Sequence, residues 1–131
     1  MDLSEYTVLI TEDDAMCYKF LELVLTKRTK INIIWAINGK QAVDFCKIYD
    51  HIDLILMDIQ LPVMDGFEAI KRIKAFKPRI PIIVQSANSY NNEWQTSVEL
   101  GCDAYITKPV NADLLIEKIT GLLNSSVTKS A

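Results

Sequence analysis

One short stretch constrains the fold of this chain more than any other: the unbroken apolar run Leu54–Met57, which ends at the carboxylate of Asp58. Such a run is typical of a strand that is covered on both faces of a parallel sheet. Pro62 and the dipeptide Asp65-Gly66 follow closely and predict a turn before the next helix. Asp65 is placed to cap that helix, which leaves Asp58 free for another role. Ligands of open α/β sheets bind at this edge, so Asp58 is a candidate functional residue.

The rest of the chain alternates predicted strands and helices. Strands are predicted at Tyr6–Thr11, Ile31–Ile37, Leu54–Met57, Ile82–Gln85 and Ala104–Thr107. Helices are predicted at Ala15–Arg28, from the Asn38-Gly39 turn to about Tyr49, at Phe67–Phe76, at Glu93–Leu100, and from the capping residue Asn111 to Leu123. Five strands alternating with five helices indicate a parallel sheet with helices on both faces. We expect one domain over residues 1–124 and a polar, disordered tail over 125–131.

Two helices differ in their predicted anchoring. The first carries apolar residues at helical spacing that form a broad face: Met16, Cys17, Phe20, Leu21, Val24 and Leu25. The fourth has only Trp94 and Val98 at such a spacing. We therefore expect the fourth helix to be the least stable of the domain.

Charge and cysteine content exclude several classes of function. The net charge of -3 and the scattered Lys and Arg residues argue against direct nucleic-acid binding and against a basic membrane patch. The acidic N-terminus does not resemble a signal peptide, and no apolar stretch is long enough to span a bilayer. Cys17, Cys46 and Cys102 are far apart and lack metal-binding spacing. They are interpreted as reduced, buried core thiols of a cytoplasmic protein.

Polar side chains gather where the predicted strands end. Glu12 and Asp13 follow the first strand, Asp58 the third, Ser86 the fourth and Lys108 the fifth. In a doubly wound sheet these groups share one edge. Two like charges ~4 Å apart cost about 4 kcal/mol at an effective dielectric of 20, so either one carboxyl is protonated or a cation is bound. Hard oxygen ligands with room for water favour Mg²⁺.

The two remaining groups at this edge suit a phosphoryl ligand. The ammonium of Lys108 is a compact positive charge that fits a phosphoryl oxygen. The hydroxyl of Ser86 can donate a hydrogen bond to another oxygen of the same group.

Together these residues resemble the receiver domains of bacterial two-component response regulators, over Val8 to Leu123. The motifs that carry the resemblance are Glu12-Asp13, Asp58 within Met-Asp-Ile-Gln-Leu-Pro-Val-Met-Asp-Gly, Ser86-Ala87 and Tyr105-Ile106-Thr107-Lys108-Pro109. The resemblance implies the flavodoxin-like, doubly wound (βα)5 fold, with a five-stranded parallel sheet in the order 2-1-3-4-5. It also implies a signalling phosphoacceptor, which is not an enzyme although it assists its own phosphorylation and dephosphorylation.

The resemblance implies a role for each site residue. Asp58 is expected to accept a phosphoryl group from a sensor histidine kinase or a phosphotransfer protein. Glu12 and Asp13 are expected to hold Mg²⁺ together with Asp58 and the backbone carbonyl of Gln60, with no organic cofactor. Ser86 and Lys108 are expected to contact the phosphoryl group, and the Lys108-Pro109 bond is expected to be cis.

The resemblance also implies a switch and an output surface. Ser86 is expected to move towards the phosphoryl group, and Tyr105 then turns inward. The surface from Trp94 through Tyr105 to the final helix is the expected site for a downstream effector. The side chains of Gln60 and Asn88 flank the site and are expected to tune hydrolysis.

Other functions fit the same residues less well. A haloacid-dehalogenase-like phosphohydrolase needs a second acid two residues after the nucleophile, where this chain has Gln60. A flavin- or dinucleotide-binding module needs a Gly- or Ser/Thr-rich phosphate loop where this chain has Glu12-Asp13-Asp14. A pseudo-receiver that serves as an interaction scaffold is expected to lack some of the acids or the lysine, and none is missing. A stand-alone regulator and a receiver from a hybrid kinase remain equally open.

Overall fold

The computed structural model describes residues 2–87 and 92–130, with side chains up to residue 124. Strands and helices alternate along it in the order β1 (Thr7–Thr11), α1 (Ala15–Arg28), β2 (Asn32–Ala36), α2 (Gly39–Ile48), β3 (Leu54–Asp58), α3 (Gly66–Phe76), β4 (Ile82–Ser86), α4 (Glu93–Glu99), β5 (Ala104–Thr107) and α5 (Ala112–Ser130). All strand pairs are parallel, and the sheet order is β2-β1-β3-β4-β5. The predicted fold and strand order are confirmed.

The sheet separates two hydrophobic layers. Side chains alternate between the faces of each strand, so Leu54 and Leu56 of β3 join one layer while Ile55 and Met57 join the other. The first layer packs under α1 and α5, and the second packs under α2 and α3. Every residue of β1, β3 and β4 is buried, as the continuous apolar runs predict.

Side-chain caps fix where most helices begin. The carboxylate of Asp14 accepts hydrogen bonds from two backbone N–H groups of α1. Asn38, Asp65 and Asn111 cap α2, α3 and α5 in the same way. Asn92, in contrast, makes no side-chain cap bond to α4, in which Ser97 is the buried residue. This weak anchoring agrees with the expected low stability of α4, which remains a prediction.

The broad apolar face predicted for α1 is only partly correct. Leu21 and Leu25 are buried, but Met16 is 82% exposed and Phe20 is 44% exposed. The physical reason is that the sheet surface reaches only one side of the helix, so neighbouring apolar positions around the turn stay outside the core. Cys17, expected in the core, is likewise only partly buried, whereas Cys46 and Cys102 are buried as predicted.

The last helix is longer than predicted. The backbone of α5 continues to Ser130, beyond the expected end at Leu123 and through most of the residues assigned to a disordered tail. Its described buried residues are Leu115, Ile116, Ile119 and Leu123.

Within the described part of the chain, no helix combines the length and the apolar character that crossing a membrane requires.

Candidate functional site

Three ionic side chains lie on one face of the sheet at its carboxyl edge. Glu12 directly follows β1, Asp58 is the last residue of β3, and Lys108 directly follows β5. Each comes two residues after a member of the core layer under α1 and α5, so the alternation of strand side chains brings all three to that face. The convergence predicted from the strand ends is therefore present for these groups.

Lys108 bridges the two buried carboxylates. Its Nζ lies 2.8 Å from Oδ2 of Asp58 and 3.0 Å from Oε1 of Glu12. The side chains of Glu12 and Asp58 are 1% and 6% exposed, and that of Lys108 is 22% exposed. Buried charges of this kind are costly unless they are paired, so pairing with the lysine stabilises the two acids in this buried place.

The pKa values of two of these groups reflect burial and pairing. Burial raises the pKa of Glu12 to about 7; the hydrogen bond from Lys108 opposes this shift and the nearby charge of Asp58 adds to it. Burial by itself lowers the pKa of Lys108, but its hydrogen bonds to Asp58 and Glu12 outweigh burial and raise that pKa above the ordinary value. Lys108 is therefore a permanent cation in the neutral pH range.

Asp13 completes a cluster of three acids. Glu12, Asp13 and Asp58 each offer a carboxylate oxygen, and these oxygens all lie within 4.8 Å of one another. Asp13 is exposed while the other two are buried, so the cluster opens to solvent on one side. Three hard oxygen donors with an open side fit Mg²⁺, which keeps several of its waters.

The loop after β3 holds the carboxylate of Asp58 in place. The backbone N–H of Gln60 donates a 3.0 Å hydrogen bond to Oδ1 of Asp58, while the side chain of Gln60 is exposed. Gly66, at the start of α3, packs against the same backbone, since a Cβ added there would lie 2.3 Å from the carbonyl oxygen of Asp58. This close approach therefore requires glycine at position 66.

Ser86 and Tyr105 lie on the opposite face of the sheet from Lys108. Ser86 is fully buried at the end of β4, and Tyr105 packs beside the core layer under α2 and α3. The hydroxyl of Ser86 donates a hydrogen bond to Oε1 of Glu93, and the hydroxyl of Tyr105 lies 3.4 Å from the same oxygen. The two residues expected to form the switch thus share one hydrogen-bonding partner.

Sequence reasoning missed two residues that contact this site. From the sequence, Glu93 is predicted only to begin a helix, and Trp35 only to lie within a strand. In the structure the indole N–H of Trp35 donates to the backbone carbonyl of Glu12, and the indole stacks on the ring of Tyr18. No local pattern predicts either contact, because both join segments that meet only after the sheet has formed.

Two further expectations have different outcomes. The Lys108-Pro109 peptide bond is cis, as expected. Asn88 lies outside the described residues.

Comparison with protein families gives a direct match. The model of the response regulator receiver domain matches residues 8–120. Hybrid signal transduction histidine kinase I of Dictyostelium discoideum is 39% identical over 120 residues, covering 86% of this chain and 7% of that protein. Cell cycle response regulator CtrA of Brucella ovis is 33% identical over 119 residues, covering 91% of this chain and 50% of that protein. The chain therefore spans half or less of the length of these relatives.

Solved structures agree with the family match. One neighbour comes from the co-crystal structure of the Saccharomyces cerevisiae histidine phosphotransfer protein Ypd1 with the receiver domain of its response regulator Ssk1. It has a TM-score of 0.81 and 34% identity, and the match covers 88% of this chain and 87% of that chain. A second is the receiver domain of the Pseudomonas aeruginosa sensor histidine kinase PA1611, with magnesium in its active-site cleft. It has a TM-score of 0.83 and 27% identity, and the match covers 91% and 98% of the two chains. With its sheet order, its acidic cluster and a match over most of its length, the chain belongs to the response regulator receiver domain family of phosphorelay signalling.

Proposed function

We propose that this domain accepts a phosphoryl group on Asp58 from a histidine kinase or a phosphotransfer protein. The observation that carries the proposal is the position of Asp58 between a bridging lysine, 2.8 Å away, and two further acids. A nucleophilic carboxylate needs a nearby cation and an open side for its substrate. The exposure of Asp13 beside it supplies the open side.

We propose Glu12, Asp13 and Asp58 as the ligands of Mg²⁺, together with the backbone carbonyl of Gln60. The cluster of hard oxygen donors supports this set, and the magnesium of the PA1611 receiver domain gives it a precedent. Bound there, Mg²⁺ would supply positive charge to the oxygens of the transferred group.

The side chains of this chain supply the rest of the chemistry. An oxygen of Asp58 forms a bond to phosphorus as the bond from phosphorus to the donor's histidine nitrogen breaks, and that nitrogen keeps the electron pair. Lys108 stabilises the negative charge on the transferring oxygens, from a position it already occupies in the resting domain. Because positioning and charge stabilisation are most of what phosphoryl transfer requires, the domain assists its own phosphorylation.

We propose that Ser86 and Tyr105 transmit the change. The hydroxyl of Ser86 donates a hydrogen bond to the new phosphoryl group. The side chain of Tyr105, in β5, then turns inward. The ring of Tyr105 lies 5.6 Å from that of Trp94, centroid to centroid, so its movement changes the exposed surface of α4. The face formed by α4, β5 and α5 is therefore the proposed contact for a downstream effector. A cytoplasmic location belongs to the same proposal and is supported by three cysteines that form no disulfide.

Intact-mass measurement tests the assignment of Asp58. The protein is incubated with Mg²⁺ and a small phosphodonor, and we expect one added phosphoryl group in the wild type and none in Asp58→Ala. Asp44→Ala, which changes a partly exposed acid on α2, serves as the matched control and is expected to label normally. Labelling that persists in Asp58→Ala contradicts the assignment. A wild-type protein that never becomes labelled favours the pseudo-receiver alternative.

A further inference from the structure

Glu93 connects two strands of the sheet to helix α4. Its Oε1 accepts hydrogen bonds from the hydroxyl of Ser86, at the end of β4, and from the hydroxyl of Tyr105, in β5. These strands are neighbours, with Val84 paired to Tyr105 in register. Glu93 is half-buried and is the first residue of α4, so its carboxylate joins that helix to both strands.

Besides Glu93, the start of α4 contacts the sheet through Trp94, whose ring lies 5.6 Å from that of Tyr105 in β5, centroid to centroid. Asn92, which precedes the helix, makes no side-chain cap bond. Ser97 is the buried residue of the helix, and its hydroxyl donates a 2.7 Å hydrogen bond to the backbone carbonyl of Glu93. This hydrogen bond lies within the helix and does not join it to the sheet. Among the described contacts at the start of α4, the carboxylate of Glu93 therefore provides the hydrogen bonds to the sheet.

The chemistry of the serine makes this contact exclusive. A hydroxyl has one proton to donate, so Ser86 cannot donate to Glu93 and to a phosphoryl oxygen at the same time. A phosphoryl oxygen that accepts the hydrogen bond from Ser86 leaves the carboxylate of Glu93 with one donor fewer. It also adds negative charge near a carboxylate, and like charges repel.

We propose that Glu93 is the positioning residue of the resting state: its carboxylate holds Ser86 and Tyr105 in place, and it is released when Ser86 turns to the phosphoryl group. This inference rests on the proposed function of Asp58 and Ser86 and extends it to a residue outside the phosphoryl site. Release of Glu93 removes one hydrogen bond from Tyr105 and one link between the start of α4 and the sheet in the same step. Phosphorylation is thereby coupled to the output face through an exchange of hydrogen bonds.

The test compares Glu93→Ala with Glu99→Gln. Glu99 is the exposed last residue of the same helix, which makes Glu99→Gln the matched control. The first readout is the indole N–H resonance of Trp94, recorded for the resting protein and for the protein saturated with Mg²⁺ and beryllofluoride. We expect the resting spectrum of Glu93→Ala to lie partway towards the beryllofluoride spectrum of the wild type, and that of Glu99→Gln to match the resting wild type.

The second readout is the affinity for beryllofluoride in saturating Mg²⁺. Because loss of the contact destabilises only the resting state, Glu93→Ala should bind beryllofluoride about tenfold more tightly than wild type, a typical coupling between two states. In a Ser86→Ala background the same substitution should have a much smaller effect, because one of the two donors is already absent.

These results separate the two proposals. If the wild type responds to beryllofluoride while Glu93→Ala and Glu99→Gln behave alike in both readouts, the role of Glu93 is refuted and the function of Asp58 stands. If the wild type neither binds beryllofluoride nor becomes phosphorylated, both are refuted. Should Glu93→Ala fail to fold, Glu93→Gln keeps the size of the side chain and removes its charge, and it is expected to shift both readouts in the same direction by a smaller amount.

Discussion

The indole N–H of Trp35 donates a 2.8 Å hydrogen bond to the backbone carbonyl of Glu12. The indole is itself held by the ring of Tyr18, with ring centroids 3.9 Å apart and planes nearly parallel. Edge strand β2 thus supports the segment that carries Glu12 and Asp13, the two acids proposed to bind Mg²⁺ with Asp58. A side chain outside the acidic cluster therefore helps to fix its geometry.

Replacing Trp35 by phenylalanine should weaken Mg²⁺ binding. The variant keeps an aromatic ring against Tyr18 but loses the donor to Glu12, and one such hydrogen bond contributes about 1 kcal/mol. We expect Mg²⁺ affinity to fall about fivefold, measured by isothermal titration calorimetry. Trp94→Phe, which changes the other tryptophan, should leave the affinity unchanged. Equal affinities in the two variants would show that the bond does not position the acids.

Replacing Lys108 by methionine should destabilise the domain chiefly when no magnesium is present. Without the ammonium, Glu12 and Asp58 face each other as buried, unpaired acids, and loss of one partner from a buried ion pair costs about 3 kcal/mol. We expect that fall in the free energy of unfolding from urea titrations in EDTA. A large part should return with Mg²⁺, because a ligand that binds only the folded state stabilises it.

The control for Lys108 is Lys40→Met. Lys40 pairs with Asp44 on the surface of α2, where both side chains are largely exposed. Exposed pairs of this kind contribute little, so we expect a change below about 0.5 kcal/mol with no dependence on Mg²⁺. A Lys108 variant that is equally unstable with and without Mg²⁺ would contradict the proposed metal site.

Two glycine substitutions should have opposite effects. In Gly66→Ala the new Cβ meets the backbone of Asp58 and Ile59, at 2.3 and 2.7 Å, so the chain must shift. We expect a loss of about 2 kcal/mol in urea titrations and slower phosphorylation by a small phosphodonor. Among the described residues, none lies within 4 Å of a Cβ added at Gly121 in α5, and Gly121→Ala should stabilise the domain by about 0.5–1 kcal/mol. Similar effects at both positions would contradict the close approach at Gly66.

The buried thiols predict a loss of stability at high pH. Burial raises the pKa of Cys46 to about 11 and that of Cys102 to about 12, from a usual value near 9. The unfolded chain therefore releases these protons first. Their contribution to stability is fully present below pH 9 and is lost as the pH rises through 11 and 12, by on the order of 1 kcal/mol per thiol at pH 10.

Urea titrations at pH 8 and pH 10 measure this loss. A Cys46→Ala/Cys102→Ala variant should lose less stability between the two pH values than the wild type, because it lacks the two thiols while all other titrating groups are common to both proteins.

Cys17, which is partly exposed, should react with a maleimide in the native protein well before the other two thiols. Equal reactivity of all three thiols would show that Cys46 and Cys102 are not protected by burial.

Much of the fold and of the candidate site could be predicted because the signals are local. The apolar runs of β3 and β4 specify buried strands, Asp14 and Asp65 specify where helices begin, and the end of each strand specifies which residues reach the edge of the sheet. The convergence of Glu12, Asp58 and Lys108 then follows from parallel pairing alone.

The contacts between elements could not be predicted in this way. Met16 and Leu21 are both apolar residues of one helix, yet only the packing of α1 against the sheet decides that Leu21 is buried and Met16 exposed. The bond from Trp35 to Glu12 joins residues 23 positions apart, and its partners are chosen by the register of β1 and β2.

The amino-acid sequence by itself determined the order of the elements and the chemistry offered at the sheet edge, because both depend on short-range periodicity and on residue type. Only the tertiary structure decided that Lys108 pairs with both buried acids and that the carboxylate of Glu93 accepts hydrogen bonds from the hydroxyls of Ser86 and Tyr105. Hydrogen bonds and ion pairs depend on distances of a few ångströms between segments remote in the chain, and those distances are fixed only when helices and strands pack together.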